Sequence, residues 1–267
     1  MTHRFCQTVA QPPSAVRKSS PAQPRAAVPR TRCRQGLSYL LIVLVFGAAA
    51  VAQETELPPA LTEYMGRTIA RTMSFHGADW LTRKTRQAEE NTALMMKALH
   101  VKPGDVVCDL GCGNGYHTLR LAGAVMPGGW VYGSDIQPEM LQMLNDRADA
   151  AGVTNLTPVL GTVVDPRLPA ASCDLILLVD VYHEFDRPVH MLAAIRRALK
   201  PAGRVVLVEF RAEDESVPIK PLHKMSRAQM MKEMTANGFK LVESFDKLPW
   251  QHMMFFQRDD APPNEAK

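Results

Sequence analysis

The stretch "VVCDLGCGNGYHTLRLA", Val106 to Ala122, joins an apolar run of strand character to a run with helical spacing through Gly111, Gly113 and Gly115. A short unbroken apolar run suits a strand covered on both faces, and the turn after such a strand is where an open α/β sheet binds a ligand. The three glycines form GxGxG, which permits backbone torsions and a close approach that a Cβ would block. Glycines alone do not name the ligand, since the same loop also packs a helix onto a strand.

Asp109, two residues before the first glycine, separates the candidates. A dinucleotide brings its pyrophosphate to this turn, where a helix N-terminus holds it, and a carboxylate pointing there repels it. S-adenosylmethionine carries an ammonium and a sulfonium and no phosphate, so a carboxylate attracts it. The sign of the charge therefore favours S-adenosylmethionine over NAD, with a turn-capping aspartate as the plainer alternative. Asp135, ending the next strand in "VYGSDIQPEML", is placed to accept both ribose hydroxyls of either cofactor, with Ile136 behind it to cover the adenine. An acid close to the start of the Pro138 helix is also common for electrostatic reasons alone. Asp165 in "GTVVDPRLP" is a candidate for the adenine amino group, or simply a turn residue before Pro166. Cys112 lies inside the glycine loop and is grouped with it as cofactor-binding, although Cys108 and Cys112 also read as small buried residues. They have no neighbouring Cys or His at zinc-ligand spacing, and no metal is expected.

From residue 105 onward the pattern alternates. Strands over 105–110, 130–135, 156–161, 173–180 and 203–210 are separated by helices over 115–125, 138–151 and 187–199, with no helix between 161 and 173. Such alternation implies a parallel, doubly wound sheet. Ser226 and Gln229 form a capping box for a helix that Gly238 terminates, and two last strands, 240–246 and 252–258, close the domain as an antiparallel edge pair. Residues 53–100, with helical spacing between Leu57 and Leu99, are expected to supply one or two helices that act as a lid; residues 101–260 form the main domain.

The charge is unevenly spread. Seven of the 31 basic residues and none of the 27 acidic ones fall in residues 1–52, which leaves 24 basic against 27 acidic from Gln53 onward. A mildly acidic body carries no nucleic-acid footprint. Residues 1–36 read as a disordered basic leader, and the apolar run 37–52, ending Ala50-Val51-Ala52, as a signal peptide or an uncleaved membrane anchor. A basic front end places the body outside, whereas S-adenosylmethionine is made in the cytosol; an exported body and a cytoplasm-facing one both stay open. The oligomeric state is not read.

In "LVDVYHEF", at the end of the fourth strand, Asp180 closes the strand near the cofactor, while Tyr182, His183 and Glu184 are candidates to face a methyl acceptor. His183 is either a general base or a histidine that orders the turn.

The motifs "DLGCGNG", "SDIQPEML", "DPRLP…CDLILLVDVYHEF" and "LKPAGRVVLVEF" stand in one order and spacing, and with them the chain from about Asp79 to Arg258 resembles class I S-adenosylmethionine-dependent methyltransferases. The similarity is to the quinone and arsenite C-methyltransferase-like (type 11) group. It implies a Rossmann-like, seven-stranded sheet, mostly parallel with an antiparallel last strand. It also implies that Asp109 and the glycines hold the methionine part of the cofactor, Asp135 the ribose, and the segment after the fourth strand the reacting end. Thr162 stands where many relatives have the adenine-side aspartate, which weakens the role given to Asp165. No Asn-Pro-Pro-Tyr type sequence is present, so a small-molecule acceptor, methylated at carbon or oxygen, is expected. A catalytically silent S-adenosylmethionine-binding module and an NAD-dependent oxidoreductase are the rival readings.

Overall fold

The computed structural model describes residues 57–262. The basic leader and the apolar run 37–52, with the signal-peptide and membrane readings attached to them, lie outside the described residues. Among the described residues no helix is long and apolar enough to cross a membrane.

The centre of the fold is a sheet of β3 (Val106–Leu110), β4 (Trp130–Asp135), β5 (Leu156–Leu160), β6 (Cys173–Val179), β7 (Leu199–Arg211), β9 (Phe239–Phe245) and β10 (Gln251–Arg258), in the order β5-β4-β3-β6-β7-β10-β9. The pairs from β5 to β7 are parallel, and β10 lies antiparallel between β7 and β9. This is the expected doubly wound, seven-stranded arrangement. One addition is β8 (Lys224–Met225), a short strand parallel to the end of β7. The chain runs outward from β3 to β5 and then returns to place β6 on the other side of β3, so the strand order reverses at the glycine loop.

Side chains alternate across each strand, and both faces are apolar. Val205 and Leu207 of β7 face one core with Ile176, Leu178, Met254 and Phe256; Val206 and Val208 face the other with Leu175, Leu177, Met253 and Phe255. The first core is covered by α5 (Pro188–Ala198) and α6 (Arg227–Ala236), the second by α2 (Thr92–Ala98) and α3 (Thr118–Ala124). Between α3 and α5, α4 (Pro138–Ala151) packs Leu141 and Leu144 on Cys112 beneath the glycine loop. Ser226 Oγ accepts the Gln229 N–H at 3.1 Å, the first half of the expected capping box, while the Gln229 amide donates to the Met65 carbonyl and to Glu233.

The region before β3 departs from the expected helices. It opens with a hairpin of β1 (Glu63–Tyr64) and β2 (Arg67–Thr68), turning at Met65 (φ 49°) and Gly66 (φ 95°). Two positive φ values in a two-residue loop match the right-handed twist of the strands it joins, and here a methionine takes a position usually filled by Asn or Asp. A 3-10 helix (Phe75–Thr82) follows, then α1 (Arg86–Glu90) and α2. Of the one or two helices expected, two form, separated at Asn91, which is left-handed (φ 49°) and whose side chain accepts from the Leu94 N–H to start α2.

Two glycines test this account of the loop. A Cβ on Gly115 (φ +82°) would stand 2.3 Å from Leu144 Cδ1, whereas one on Gly123, exposed in α3, meets nothing within 4 Å. Gly115→Ala is expected to cost about 1–3 kcal/mol in urea denaturation. Gly123→Ala is expected to gain about 0.5–1 kcal/mol. Equal effects would contradict the packing described.

Candidate functional site

Over the carboxyl ends of β3, β4, β5, β6 and β7 lies a cavity of about 540 Å³, within the range of small-molecule and cofactor sites, roughly 300–1,000 Å³. Gly111 and Gly113 line it on the β3 side, Asp135, Ile136 and Gln137 on the β4 side, and Gly161 and Thr162 after β5. Asp180, His183 and Glu184 line it after β6, and Phe210, Ile219 and His223 after β7.

The glycine loop is tied to β4. Gly111 N–H and Cys112 N–H both donate to the Ser134 carbonyl (2.7 and 3.1 Å), and Gly113 N–H donates to Asp135 Oδ2 at 2.9 Å. Asp135 Oδ1 accepts the Gln137 N–H at 2.9 Å. Burial pushes the Asp135 carboxyl above its usual range, while these backbone N–H groups pull it back. The loop N–H groups that a pyrophosphate would need at Gly111, Cys112 and Gly113 are thus already engaged, and the first residue of α3 comes only at Thr118. Both glycines have positive φ, and a Cβ on either would clash, with Val181 at 2.6 Å or with Leu81 at 2.4 Å.

The cavity carries an excess of carboxylates. Glu90 is paired with Arg86 (2.8 Å) and Arg83 (2.5 Å), yet Asp180 has only an amide partner, Gln251 Nε2, which donates to both its oxygens at 3.0 and 2.8 Å. Burial, then Glu90 and Glu209, push the Asp180 carboxyl well above the usual range. Asp180 is also left-handed (φ 55°), a conformation that costs a non-glycine residue about 1–3 kcal/mol and that gathers at functional sites. A ligand with a cationic end suits this donor set; a polyphosphate does not. The residues present therefore fit S-adenosylmethionine, with Asp135 towards a ribose and Asp180 towards positive charge.

Five of the expected site residues do not line the cavity. Asp109 is buried beneath the loop, its carboxylate accepting the Thr118 hydroxyl (2.6 Å) at the start of α3, while Leu110 and Gly111, further along the chain, line the cavity. Cys112 and Gly115 pack against Leu144 and its surroundings. Asp165 is drawn to Arg197 (2.8 Å) and the Arg167 N–H (2.7 Å), leaving Thr162 at the cavity wall. Tyr182 is fully buried and donates its hydroxyl to Glu233 Oε2 at 2.8 Å.

His183 and Glu184 do reach the cavity. His183 Nδ1 lies 2.6 Å from Glu209 Oε2, and its Nε2 lies 3.0 Å from His223 Nδ1. Burial alone would push this imidazole down; the Glu209 carboxylate prevails and holds it above its ordinary value. Glu184 accepts the Met73 N–H at 3.1 Å, and burial pushes its carboxyl up to about 7. Glu209 and His223 escape notice in the sequence. A glutamate inside the apolar run "RVVLVEF" is the signal for the first, since a buried carboxylate needs a partner; His223, 40 residues from His183 in the chain, leaves none.

The strap from Arg67 to Phe75 closes one side. Arg67 Nη1 and Ala70 N–H donate to the His183 carbonyl, and Phe75 N–H and Gln137 Nε2 join the strap to the start of α4.

A doubly wound sheet with its ligand cavity at the strand reversal, loop N–H groups committed to β4 and a carboxylate at the ligand's cationic end defines the class I S-adenosylmethionine-dependent methyltransferases. Residues 101–258 match a family model described as a methyltransferase domain, and the chain belongs to that family. It is 34% identical over 111 residues to a demethylmenaquinone methyltransferase of Symbiobacterium thermophilum, covering 41% of this chain and 44% of the relative. It is 29% identical over 143 residues to the 27-O-demethylrifamycin SV methyltransferase of Amycolatopsis mediterranei, covering 51% of each. The chain spans about half or less of the length of the curated relatives it matches. Among solved structures, a methyltransferase from Aquifex aeolicus superposes with a TM-score of 0.66 at 19% identity, over 70% of this chain and 100% of that one, which shows a shared fold.

Asp109 offers a test by pH. Burial pushes its carboxyl from 3.8 to about 6, against the pull of Thr118 and Arg86. The folded chain then binds this proton more tightly than the unfolded one, so the contribution is full below about pH 4 and is lost as pH rises through 6. In equilibrium denaturation, Asp109→Asn should gain on the wild type between pH 4 and 6.5, by at most about 3 kcal/mol. A difference that does not change with pH would contradict the burial.

Proposed function

We propose that this protein transfers the methyl group of S-adenosylmethionine to a small-molecule acceptor, at oxygen or carbon. The observation that carries the reading is the single cavity, which continues from the loop and Asp135 past the strand reversal to an acceptor end lined by Met73, Phe185, Met191, Phe210 and Ile219. An apolar wall with a few convergent polar groups suits a hydrophobic ring system that presents one reactive centre. Two relatives support this choice by name, one a demethylmenaquinone methyltransferase and one a 27-O-demethylrifamycin SV methyltransferase.

When bound, S-adenosylmethionine supplies an electrophilic methyl carbon whose bond to sulfur breaks with its electron pair staying on sulfur. The chain's own work is then placement. Gly111 and Gly113 let the backbone come close to the cofactor, Asp135 accepts from the ribose hydroxyls, Ile136 covers the adenine, and Asp180 faces the cationic end. The strap and the 3-10 helix, through Met73, Trp80 and Leu81, act as the lid that excludes water. Holding the acceptor atom roughly 3–3.5 Å from the methyl carbon along the reaction axis supplies much of the acceleration. Glu184 and His183 orient the acceptor, and Glu184 takes the proton that it releases.

Incubating the full chain with methyl-tritiated S-adenosylmethionine and a panel of naphthoquinols and phenols should yield labelled product. With the best acceptor, Glu184→Gln should lower kcat at least about 100-fold and leave cofactor affinity unchanged. Cofactor binding without transfer to any of these acceptors would favour the silent module and overturn the proposal.

A further inference from the structure

We propose that His183, Glu184 and His223 form a binding site for one divalent transition-metal ion at the acceptor end of the cavity. The three side chains each present one donor atom, and these atoms lie within 4.8 Å of one another. His183 and Glu184 come from the 3-10 turn Tyr182–Glu184 after β6, and His223 from the turn Pro221–His223 that leads into β8. Two imidazole nitrogens and one carboxylate oxygen suit zinc and its neighbours, with positions left open for water or an acceptor oxygen.

The geometry of the two rings is that of ligands as well as of a hydrogen-bonded pair. Ligand bonds of about 2.0–2.2 Å place neighbouring donors roughly 3.0–3.5 Å apart, and His183 Nε2 lies 3.0 Å from His223 Nδ1. The rings meet edge to face at 88°, so neither ring stacks over the other, and an ion would take the place of the proton that the two nitrogens now share. The Glu184 carboxylate offers an oxygen within 4.8 Å of both nitrogens and would swing inwards to bind.

A second, independent observation is the outer partner. A metal-binding histidine almost always gives its other ring N–H to a carboxylate, which fixes the ring and raises its basicity. His183 Nδ1 meets Glu209 Oε2 at 2.6 Å, and Glu209 is fully buried, its other oxygen held by the Tyr182 N–H at 2.8 Å. A carboxylate this deep in the apolar strand β7 stays buried only with such partners, and His183 is the one that carries charge. The backbone is pinned too: the His183 carbonyl accepts from Arg67 and Ala70, and β8 is paired to β7. His223 and Glu184 are only part-buried and line the cavity, which gives an ion its way in.

The link to chemistry rests on the methyltransferase reading. With an ion bound, Glu184 serves as its ligand instead of taking the acceptor's proton; the ion would bind an acceptor through oxygen and lower the pKa of its hydroxyl so that the proton leaves to water, which selects hydroxylated or enolic acceptors. Metal binding itself does not depend on that reading and is measured without S-adenosylmethionine.

The full chain, stripped with chelator, is titrated with Co²⁺ alone by calorimetry and visible absorption. The expected result is one ion per chain, with d–d bands of a nitrogen- and oxygen-ligated site. His223→Asn and Glu184→Gln should each weaken binding at least about 10-fold. Glu209→Gln, which touches no ion, should weaken it about 10–100-fold, whereas the exposed His100→Asn should not. No Co²⁺ spectrum on the wild type, a result that needs no variant to fold, would overturn the proposal. So would binding that survives the ligand substitutions. Either failure leaves S-adenosylhomocysteine binding intact and is thereby distinct from failure of the cofactor assignment.

Discussion

The bond between Asp135 and the glycine loop is the contact on which the site depends. By accepting the Gly113 N–H with one oxygen and the Gln137 N–H with the other, a single carboxylate fixes the β3–α3 turn and the start of α4 relative to each other. The Ser134 carbonyl takes the N–H groups of Gly111 and Cys112 beside it. The loop is therefore a docked wall of the cavity with its donors already spent. That commitment disfavours a pyrophosphate more directly than any charge at Asp109 does.

Buried charge organises the rest. Each deep carboxylate has its own partner: Glu90 has Arg86, Asp180 has Gln251, Glu209 has His183, and Glu233 has Arg67 and the Tyr182 hydroxyl. Apart from Glu90 with Arg86, four residues apart in α1, these pairs join segments distant in sequence, the strap before β3 to α6 and the end of β6 to β7 and β10. Removing one partner of such a pair leaves an uncompensated charge and costs about 3–5 kcal/mol. Asp180 is the exception, since an amide does not neutralise it, and it stands at the strand reversal where a cationic ligand would.

Much of this was legible in the residues. Continuous apolar runs and glycine punctuation gave the strands from β3 to β7, and the capping box and Gly238 gave α6. Asp109 was placed at the ligand on its charge alone, and only the fold shows that the Thr118 hydroxyl, nine residues on, takes its carboxylate. Asp165 was misread because proximity in sequence says nothing of Arg197, 32 residues on, which claims it. Tyr182 stands beside His183 in the chain yet points into the core, as neighbours in a tight turn do. The Met65–Gly66 hairpin carries no Asn-Gly signature, and the Asn91 break required a left-handed residue inside a good helical pattern. Glu209 and His223 belong to the site only through contacts that the fold creates.

The central claim is that this cavity selects a cationic nucleoside cofactor without phosphate. Calorimetric titration of the full chain with S-adenosylhomocysteine and, separately, with NAD tests it most directly. The account predicts binding of S-adenosylhomocysteine, weakened at least about 10-fold by Asp135→Ala, the loss of one charged-group hydrogen bond, and no binding of NAD. Binding of NAD alone, or S-adenosylhomocysteine affinity indifferent to Asp135→Ala, would contradict it.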